Sequence, residues 1–148
     1  MKTNVYDLQR FIKAQENSYV IALAEIKNGY KKGHWMWYIF PQIAGLGFSE
    51  TAQFYAINDI NEATLYLQHE LLGKRLIEIS QTLLDLENSN ASDIFGYPDD
   101  LKLCSSMTLF SQVKDTSDVF KNVLDKYFNG NFDQKTMQLL EKLNYGNL

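Results

Sequence analysis

A stripe of apolar residues between positions 70 and 86 places the strongest constraint on the fold. Its members follow one another at spacings of four, three, four and three residues: Leu72, Leu76, Ile79, Leu83 and Leu86. On an α-helix this spacing brings all five side chains to one face. The stripe therefore predicts a long helix over about residues 70–86 that packs against a hydrophobic core.

Helix signals recur along the rest of the chain. Ser, Asn or Asp in N-cap positions, followed by apolar residues at helical spacing, predict helices over about residues 4–15, 18–28, 99–112, 117–128 and 133–144. Strand-like alternation of side chains occurs only around Trp35. We therefore predict an all-α fold of seven or eight helices in a single domain over residues 1–148.

Two shorter helices complete this prediction. One begins at Ser49 as N-cap and the other near Asp59 or Asn61, whereas residues 88–92 are polar and predict a loop. The apolar stripes also turn three side chains towards the core: Phe54 in the helix after Ser49, and Val20 and Ile21 in the helix over 18–28.

Residues 33–47 form one irregular aromatic segment in the middle of the chain. Both tryptophans, Trp35 and Trp37, lie here, followed closely by Phe40. Aromatic side chains bury large areas, so we expect both indoles to be mostly buried. The alternation of side chains favours an extended segment, a short buried helix is the alternative, and Pro41 ends regular helix in either case.

Composition and charge narrow the class of protein. The chain of 148 residues with 45% hydrophobic content has room for one ordinary core. Its net charge of −4 argues against bulk nucleic acid as a partner. The single cysteine and the absence of an apolar N-terminal run favour a cytoplasmic protein without disulfides or membrane spans. Two scattered histidines predict no metal site, and no complete cofactor motif occurs.

The helix over 99–112 carries two faces of different chemistry. Its apolar face combines Leu103, Met107 and Phe110, whereas Ser105, Thr108 and Gln112 share another face. Ser and Thr are indifferent helix formers, so the hydroxyl stripe needs a separate explanation. Close packing of two helices is one explanation, and a ligand-binding wall is the other.

We expect the segment 33–47 and the helix over 99–112 to form opposite walls of one cleft. The ligand-binding side chains predicted there are polar or aromatic: Trp35, Trp37, Phe40, Gln42, Lys102, Ser105 and Thr108. The aromatic rings would supply the stacking surface for a base-like ring, and the hydroxyls would bind a sugar. A small polar, nucleotide-like molecule is therefore the predicted ligand.

Two further residues are candidates for catalysis in this cleft. His34 would orient or protonate the ligand, and Asp100 is the carboxylate available to stabilise positive charge. Cys104 is better explained as a small core residue than as a nucleophile paired with His34.

Several longer strings are similar to a known bacterial family. They are Asp7-Leu-Gln-Arg-Phe11, Gly33-His-Trp-Met-Trp37, Phe40-Pro-Gln42, Gly45-Leu-Gly47, Pro98-Asp-Asp-Leu-Lys-Leu103 and Ser105-Ser-Met-Thr-Leu-Phe110. On these strings the chain is identified as a member of the family of unknown function numbered 1810, and the match covers nearly its whole length. The resemblance implies a mainly helical single domain and no established activity. Members often carry the label calpastatin, but this aromatic-rich chain lacks the composition of a disordered inhibitor. Glu70 follows His69 where the family usually has proline.

The chain also resembles, more distantly, the helical N-glycosidases that act on riboflavin intermediates and ADP-ribose-type substrates. The similarity lies in the order of an aromatic segment, a Ser-initiated helix with Tyr55 and a later helix through residues 107–110. The Glu-His pair of those enzymes is not reproduced, because the chain reads Ala52-Gln53-Phe54-Tyr55. Glycoside cleavage normally uses a carboxylate, which Glu50, Asp99 or Asp100 would have to supply.

Three classes of function follow from these observations. The first is an N-glycoside hydrolase, and the second is a module that binds a nucleotide-like ligand without reacting it. The third is a non-enzymatic protein-interaction domain in which both stretches are structural. Binding of a small polar nucleotide- or ADP-ribose-like ligand in the predicted cleft is the preferred hypothesis.

Overall fold

A computed structural model of the protein describes residues 6–146. It contains ten helices in this range: α1 (Gln9–Gln15), α2 (Tyr19–Lys27), α3 (Met36–Ile39), α4 (Glu50–Phe54), α5 (Ile60–Gln68), α6 (Leu72–Asp85), α7 (Ala91–Phe95), α8 (Asp99–Ser111), α9 (Val119–Phe128) and α10 (Gln134–Gly146). None of these helices has the length and apolar character that a membrane span requires. Over the described residues the only β-type pairing is an isolated parallel bridge between Ile43 and Ile57. The predicted all-α fold is confirmed.

Two short helices account for the difference between ten helices and the predicted seven or eight. Within the aromatic segment, α3 is the short helix that the sequence offered as the alternative to an extended segment. Helix α7 begins inside the predicted loop, where the Asn90 side chain accepts a hydrogen bond from the backbone N–H of Asp93 at 3.1 Å. The N-cap predicted near residue 4 lies outside the described residues.

Helix α6 carries its apolar face into the core. Four members of the stripe are buried as predicted: Leu72, Leu76, Ile79 and Leu83. The helix packs against α2, α5 and α9. At its start, Nδ1 of His69 accepts hydrogen bonds from the backbone N–H groups of Leu71 and Leu72 at 3.1 and 3.3 Å. This imidazole therefore satisfies two donors that the helix itself leaves unpaired.

The predicted orientations of three apolar side chains were wrong. Val20 and Ile21 are exposed, because α2 buries the face that carries Tyr19, Ala22 and Ile26 instead. The apolar residues of α2 itself lie on all sides of the helix, so their spacing does not indicate which face is buried. Phe54 is also exposed, at the end of a helix of only five residues.

Gly73 permits the close approach of α5 and α6. A Cβ atom at this position would lie 2.0 Å from the carbonyl oxygen of Leu67, at the end of α5. That oxygen belongs to the backbone and cannot rotate away as a flexible side chain would. The tight turn between the two helices therefore depends on the missing side chain.

Gly73→Ala should destabilise the protein by roughly 1–3 kcal/mol, because the added methyl group forces the two helices apart. Intrinsic helix propensity alone predicts the opposite sign, since Ala is favoured over Gly by about 1 kcal/mol. Urea unfolding of the two proteins decides between these effects. Lys74→Ala, at an exposed position of the same helix, is the control and should change stability little. An unchanged or higher stability of Gly73→Ala would show that the helices separate without cost.

Candidate functional site

A cleft of about 460 Å³ lies between the aromatic segment and the start of α8. Its side chains come from residues 37–56 on one wall and 98–105 on the other. Those with aromatic rings or polar groups are Trp37, Gln42, Phe48, Ser49, Tyr55, Lys102 and Ser105. The two stretches predicted to face each other therefore do so, although the cleft includes only part of the predicted set of residues.

Glu25 determines which of the two tryptophans enters the core. One oxygen of its carboxylate accepts hydrogen bonds from Trp35 Nε1 at 2.9 Å and from the backbone N–H groups of Lys32 and Gly33 at 2.8 and 3.0 Å. Trp35 is only 2% exposed. Trp37, in the first turn of α3, is not enclosed in this way and lines the cleft.

The same contacts govern the protonation of Glu25. Burial alone would raise the pKa of this carboxyl, but the hydrogen bonds from Gly33, Lys32 and Trp35 and the charge of Lys31 outweigh that effect. The pKa is therefore lower than its ordinary value of 4.5. The loop before α3 is held by a carboxylate that stays ionised at neutral pH.

Two lysines and one aspartate form a charged cluster beside the two indoles. The Asp99 carboxylate forms ion pairs with Lys31 Nζ at 2.8 Å and with Lys102 Nζ at 3.4 Å. Lys31 Nζ lies 4.9 Å from the Trp35 ring centroid, and Lys102 Nζ lies 5.2 Å from that of Trp37. Lys31 also lies close enough to Glu25 for its charge to act on that carboxylate, so the positive charge that reaches the cleft wall is the Lys102 ammonium, 3.4 Å from Asp99.

Asp100 and His34 are not in this cleft, although both were predicted to act there. The Asp100 carboxylate accepts a hydrogen bond from the adjacent backbone N–H of Leu101 at 2.9 Å, and its side chain is not part of the cleft wall. His34 is exposed and lines a second cavity that also contains Glu50. A catalytic arrangement of His34 with Asp100 is therefore not formed.

The hydroxyl stripe of α8 is explained mainly by packing against α10. Thr108 Oγ1 accepts a hydrogen bond from the backbone N–H of Asp133 at 2.8 Å, and Ser105 Oγ donates to the Asp133 carboxylate at 3.3 Å. The same carboxylate accepts from the backbone N–H of Thr136 at 3.0 Å. Thr108 is fully buried and lies outside the cleft, whereas Ser105 also reaches the cleft wall.

Two of the predicted stacking residues belong to the core instead. Trp35 and Phe40 are buried, and both pack edge-on against Phe95 with ring centroids 6.5 and 5.9 Å apart. They therefore offer no surface to a ligand. The aromatic side chains that do line the cleft are Trp37, Phe48 and Tyr55.

A buried ion pair supports the wall that carries Tyr55. Arg10 donates from Nε to the carbonyl oxygen of Phe54 and from Nη2 to that of Ala56, both at 2.8 Å. Its Nη1 lies 3.0 Å from the Glu62 carboxylate, and the two side chains are 7% and 0% exposed. The other oxygen of Glu62 accepts from the backbone N–H of Asn58 at 2.7 Å. These contacts fix residues 54–58 behind the cleft.

Cys104 offers no nucleophilic site. The Cys104 thiol packs against the core, and burial, together with the nearby charge of Asp133, raises its pKa to about 11. The thiol is therefore neutral at pH 7, as its interpretation as a small core residue requires. Within residues 6–146 no three metal-ligating side chains come together.

Comparison with known proteins extends these observations. A family model described as a protein of unknown function, DUF1810, matches residues 5–140. The crystal structure of the conserved hypothetical protein Rv1873 from Mycobacterium tuberculosis is similar, with a TM-score of 0.91 and 46% sequence identity over 93% of this chain and 99% of that chain. A search of curated proteins gave no match. Neither similarity extends to the helical N-glycosidases.

The lowered pKa of Glu25 predicts a pH-dependent contribution to stability. The contribution is complete above the ordinary pKa of 4.5 and is lost as the pH falls through the lower pKa of the folded state. Glu25→Gln should therefore reduce the free energy of unfolding at pH 7 by roughly 1–2 kcal/mol, and the difference from the parent protein should shrink in acid. Urea unfolding from pH 7 to 3, with the exposed Glu70→Gln as control, measures this. A pH-independent difference would contradict it.

The Arg10–Glu62 pair predicts coupled mutational effects. Arg10→Met leaves a buried carboxylate without its cation and should cost roughly 3–5 kcal/mol. The double variant Arg10→Met/Glu62→Gln removes the unpaired charge and should be more stable than Arg10→Met alone. A double-mutant cycle measured by urea unfolding tests this. Additive effects would show that the two side chains act independently.

Proposed function

This chain belongs to the DUF1810 family of proteins of unknown function, and we propose that it binds a small nucleotide-like ligand in the cleft between residues 37–56 and α8. One observation carries the proposal: a cation and an aromatic face occur together in one cavity. Lys102 Nζ lies 5.2 Å from the ring centroid of Trp37, and both side chains line the cleft. A nucleotide uses both groups, a ring face for its base and a positive charge for its phosphate.

The size and charge of the cleft support the same class of ligand. A volume of about 460 Å³ lies within the usual range of about 300–1,000 Å³ for small-molecule sites. No side chain on its described walls is a carboxylate. An anionic group therefore meets Lys102 at the cleft wall, where it shares the ammonium with Asp99, 3.4 Å from Lys102 Nζ.

Polar groups suited to fixing the orientation of a ligand lie on both walls. The Gln42 amide offers donors and an acceptor on one wall, and the Ser105 hydroxyl offers both on the other. Tyr55 adds a second ring near Trp37, and the Arg10–Glu62 pair holds its backbone in place. Such a preformed arrangement reduces the ordering cost of binding.

Binding is a better-supported proposal than hydrolysis. Cleavage of an N-glycosidic bond normally uses a carboxylate beside the developing positive charge, and neither Asp99 nor Asp100 is part of the cleft wall. Glu50, in the adjoining cavity, is the remaining candidate for that role. An N-glycosidase activity would therefore depend on a ligand that reaches both cavities.

A protein-interaction domain is the second candidate function. Phe48, which lines the cleft, is 83% exposed, and Tyr97 and Leu101 are also exposed apolar side chains near its edge. Exposed apolar side chains in one region are typical of interaction surfaces. This candidate predicts no specific effect of Lys102 on nucleotides.

The proposal includes a cytoplasmic location. Nucleotides are abundant there, and a single cysteine, Cys104, suits a reducing compartment.

Isothermal titration with ADP and adenosine tests the proposed function. Lys102→Gln should weaken ADP binding roughly tenfold to a hundredfold, because the phosphate loses a charged partner. Adenosine should bind the variant and the parent protein equally. Trp37→Leu should weaken both ligands, since both use the ring face.

Lys32→Gln is the matched control, because Lys32 is an exposed lysine outside the cleft. Melting temperatures of the variants verify that the fold is intact, and product analysis after incubation detects any glycosidic cleavage. If ADP does not bind, or binds Lys102→Gln as tightly as the parent protein, the proposed function is wrong.

A further inference from the structure

A second, shallow and largely open cavity of about 490 Å³ adjoins the cleft. Both cavities are lined by Trp37 and Tyr55, so these two aromatic side chains form their common boundary. Each cavity alone is large enough for one half of a ligand made of two parts. A molecule that passes the shared boundary would contact both.

The two cavities differ in charge. Lys102 is the charged side chain on the walls of the cleft, whereas the second cavity contains Glu50 together with His34. A carboxylate repels a second phosphate but accepts hydrogen bonds from hydroxyl groups. The second cavity therefore favours a neutral group that carries hydroxyls.

Other side chains of the second cavity fit a sugar. Thr51 supplies a hydroxyl, and Trp37, Phe54 and Tyr55 supply ring faces against which the C–H groups of a sugar ring can pack. The imidazole of His34 and the carboxylate of Glu50 make no hydrogen bond or ion pair with another residue in the described part of the chain. Their polar atoms are thus available to a ligand.

We infer that the ligand is a nucleoside diphosphate sugar, with the nucleotide in the Lys102 cleft and the sugar in the cavity that contains Glu50 and His34. This inference rests on the proposed nucleotide binding and adds the second half of the ligand. The diphosphate crosses from one cavity to the other beside Trp37. Glu50 accepts hydrogen bonds from the sugar hydroxyls.

Two matched pairs of ligands test the inference by isothermal titration: ADP with ADP-ribose, and UDP with UDP-glucose. Within each pair the ligands differ by the sugar. At least one nucleoside diphosphate sugar should bind roughly tenfold more tightly than its parent diphosphate. Glu50→Ala should abolish this gain and leave the diphosphate unchanged, because a hydrogen bond to a charged group is worth about a factor of ten or more. Glu70→Ala, an exposed carboxylate outside both cavities, is the control.

The outcomes separate this inference from the proposed function. If the diphosphates bind in a Lys102-dependent manner but the sugar adds no affinity, the inference is wrong and the nucleotide proposal stands. Equal weakening of diphosphate and diphosphate sugar by Glu50→Ala also overturns it, since Glu50 would then act on the part that both ligands share. If no nucleotide binds at all, both fail together.

Discussion

The hydrogen bonds of the Glu25 carboxylate determine the arrangement of the whole aromatic segment. By accepting from Trp35 Nε1 and from the two backbone N–H groups before it, the carboxylate turns one indole into the core and closes the loop that leads into α3. Trp37, two residues further along the chain, lines the cleft. One acidic side chain on α2 thus separates a structural tryptophan from one that is available for binding.

The buried carboxylate of Glu62 has the corresponding role at the other end of the same wall. Glu62 pairs with Arg10, and the guanidinium in turn holds the carbonyl groups of Phe54 and Ala56. The segment between α4 and α5 has little regular structure of its own, so these bonds replace the hydrogen bonds that a helix would supply. The two ends of the wall over residues 37–56 are therefore positioned by charged groups that lie outside the cleft lining.

Local signals in the sequence predicted the fold well, but they did not predict which residues of the two stretches line the cleft and which belong to the core. The Ser49 cap is confirmed, since its hydroxyl accepts from the backbone N–H of Ala52 at 3.1 Å, only three residues away. In contrast, Thr108 is buried because of Asp133, and Trp35 because of Glu25. Such partners are distant in the chain and leave no periodic pattern. The sequence placed Tyr55 at the end of the helix capped by Ser49, but no sequence pattern predicted that a cavity lies beside its ring.

The unequal environments of the two tryptophans have a spectroscopic consequence. The chain contains only two tryptophans, and one is enclosed beside a carboxylate while the other borders both cavities. Acrylamide in solution should therefore quench the emission of the second indole more than that of the first. The native tryptophan fluorescence therefore has one component from the buried indole and one from the indole at the cleft. A change in the second component alone would report an event in the cleft, whereas a change in both would report a change of the fold.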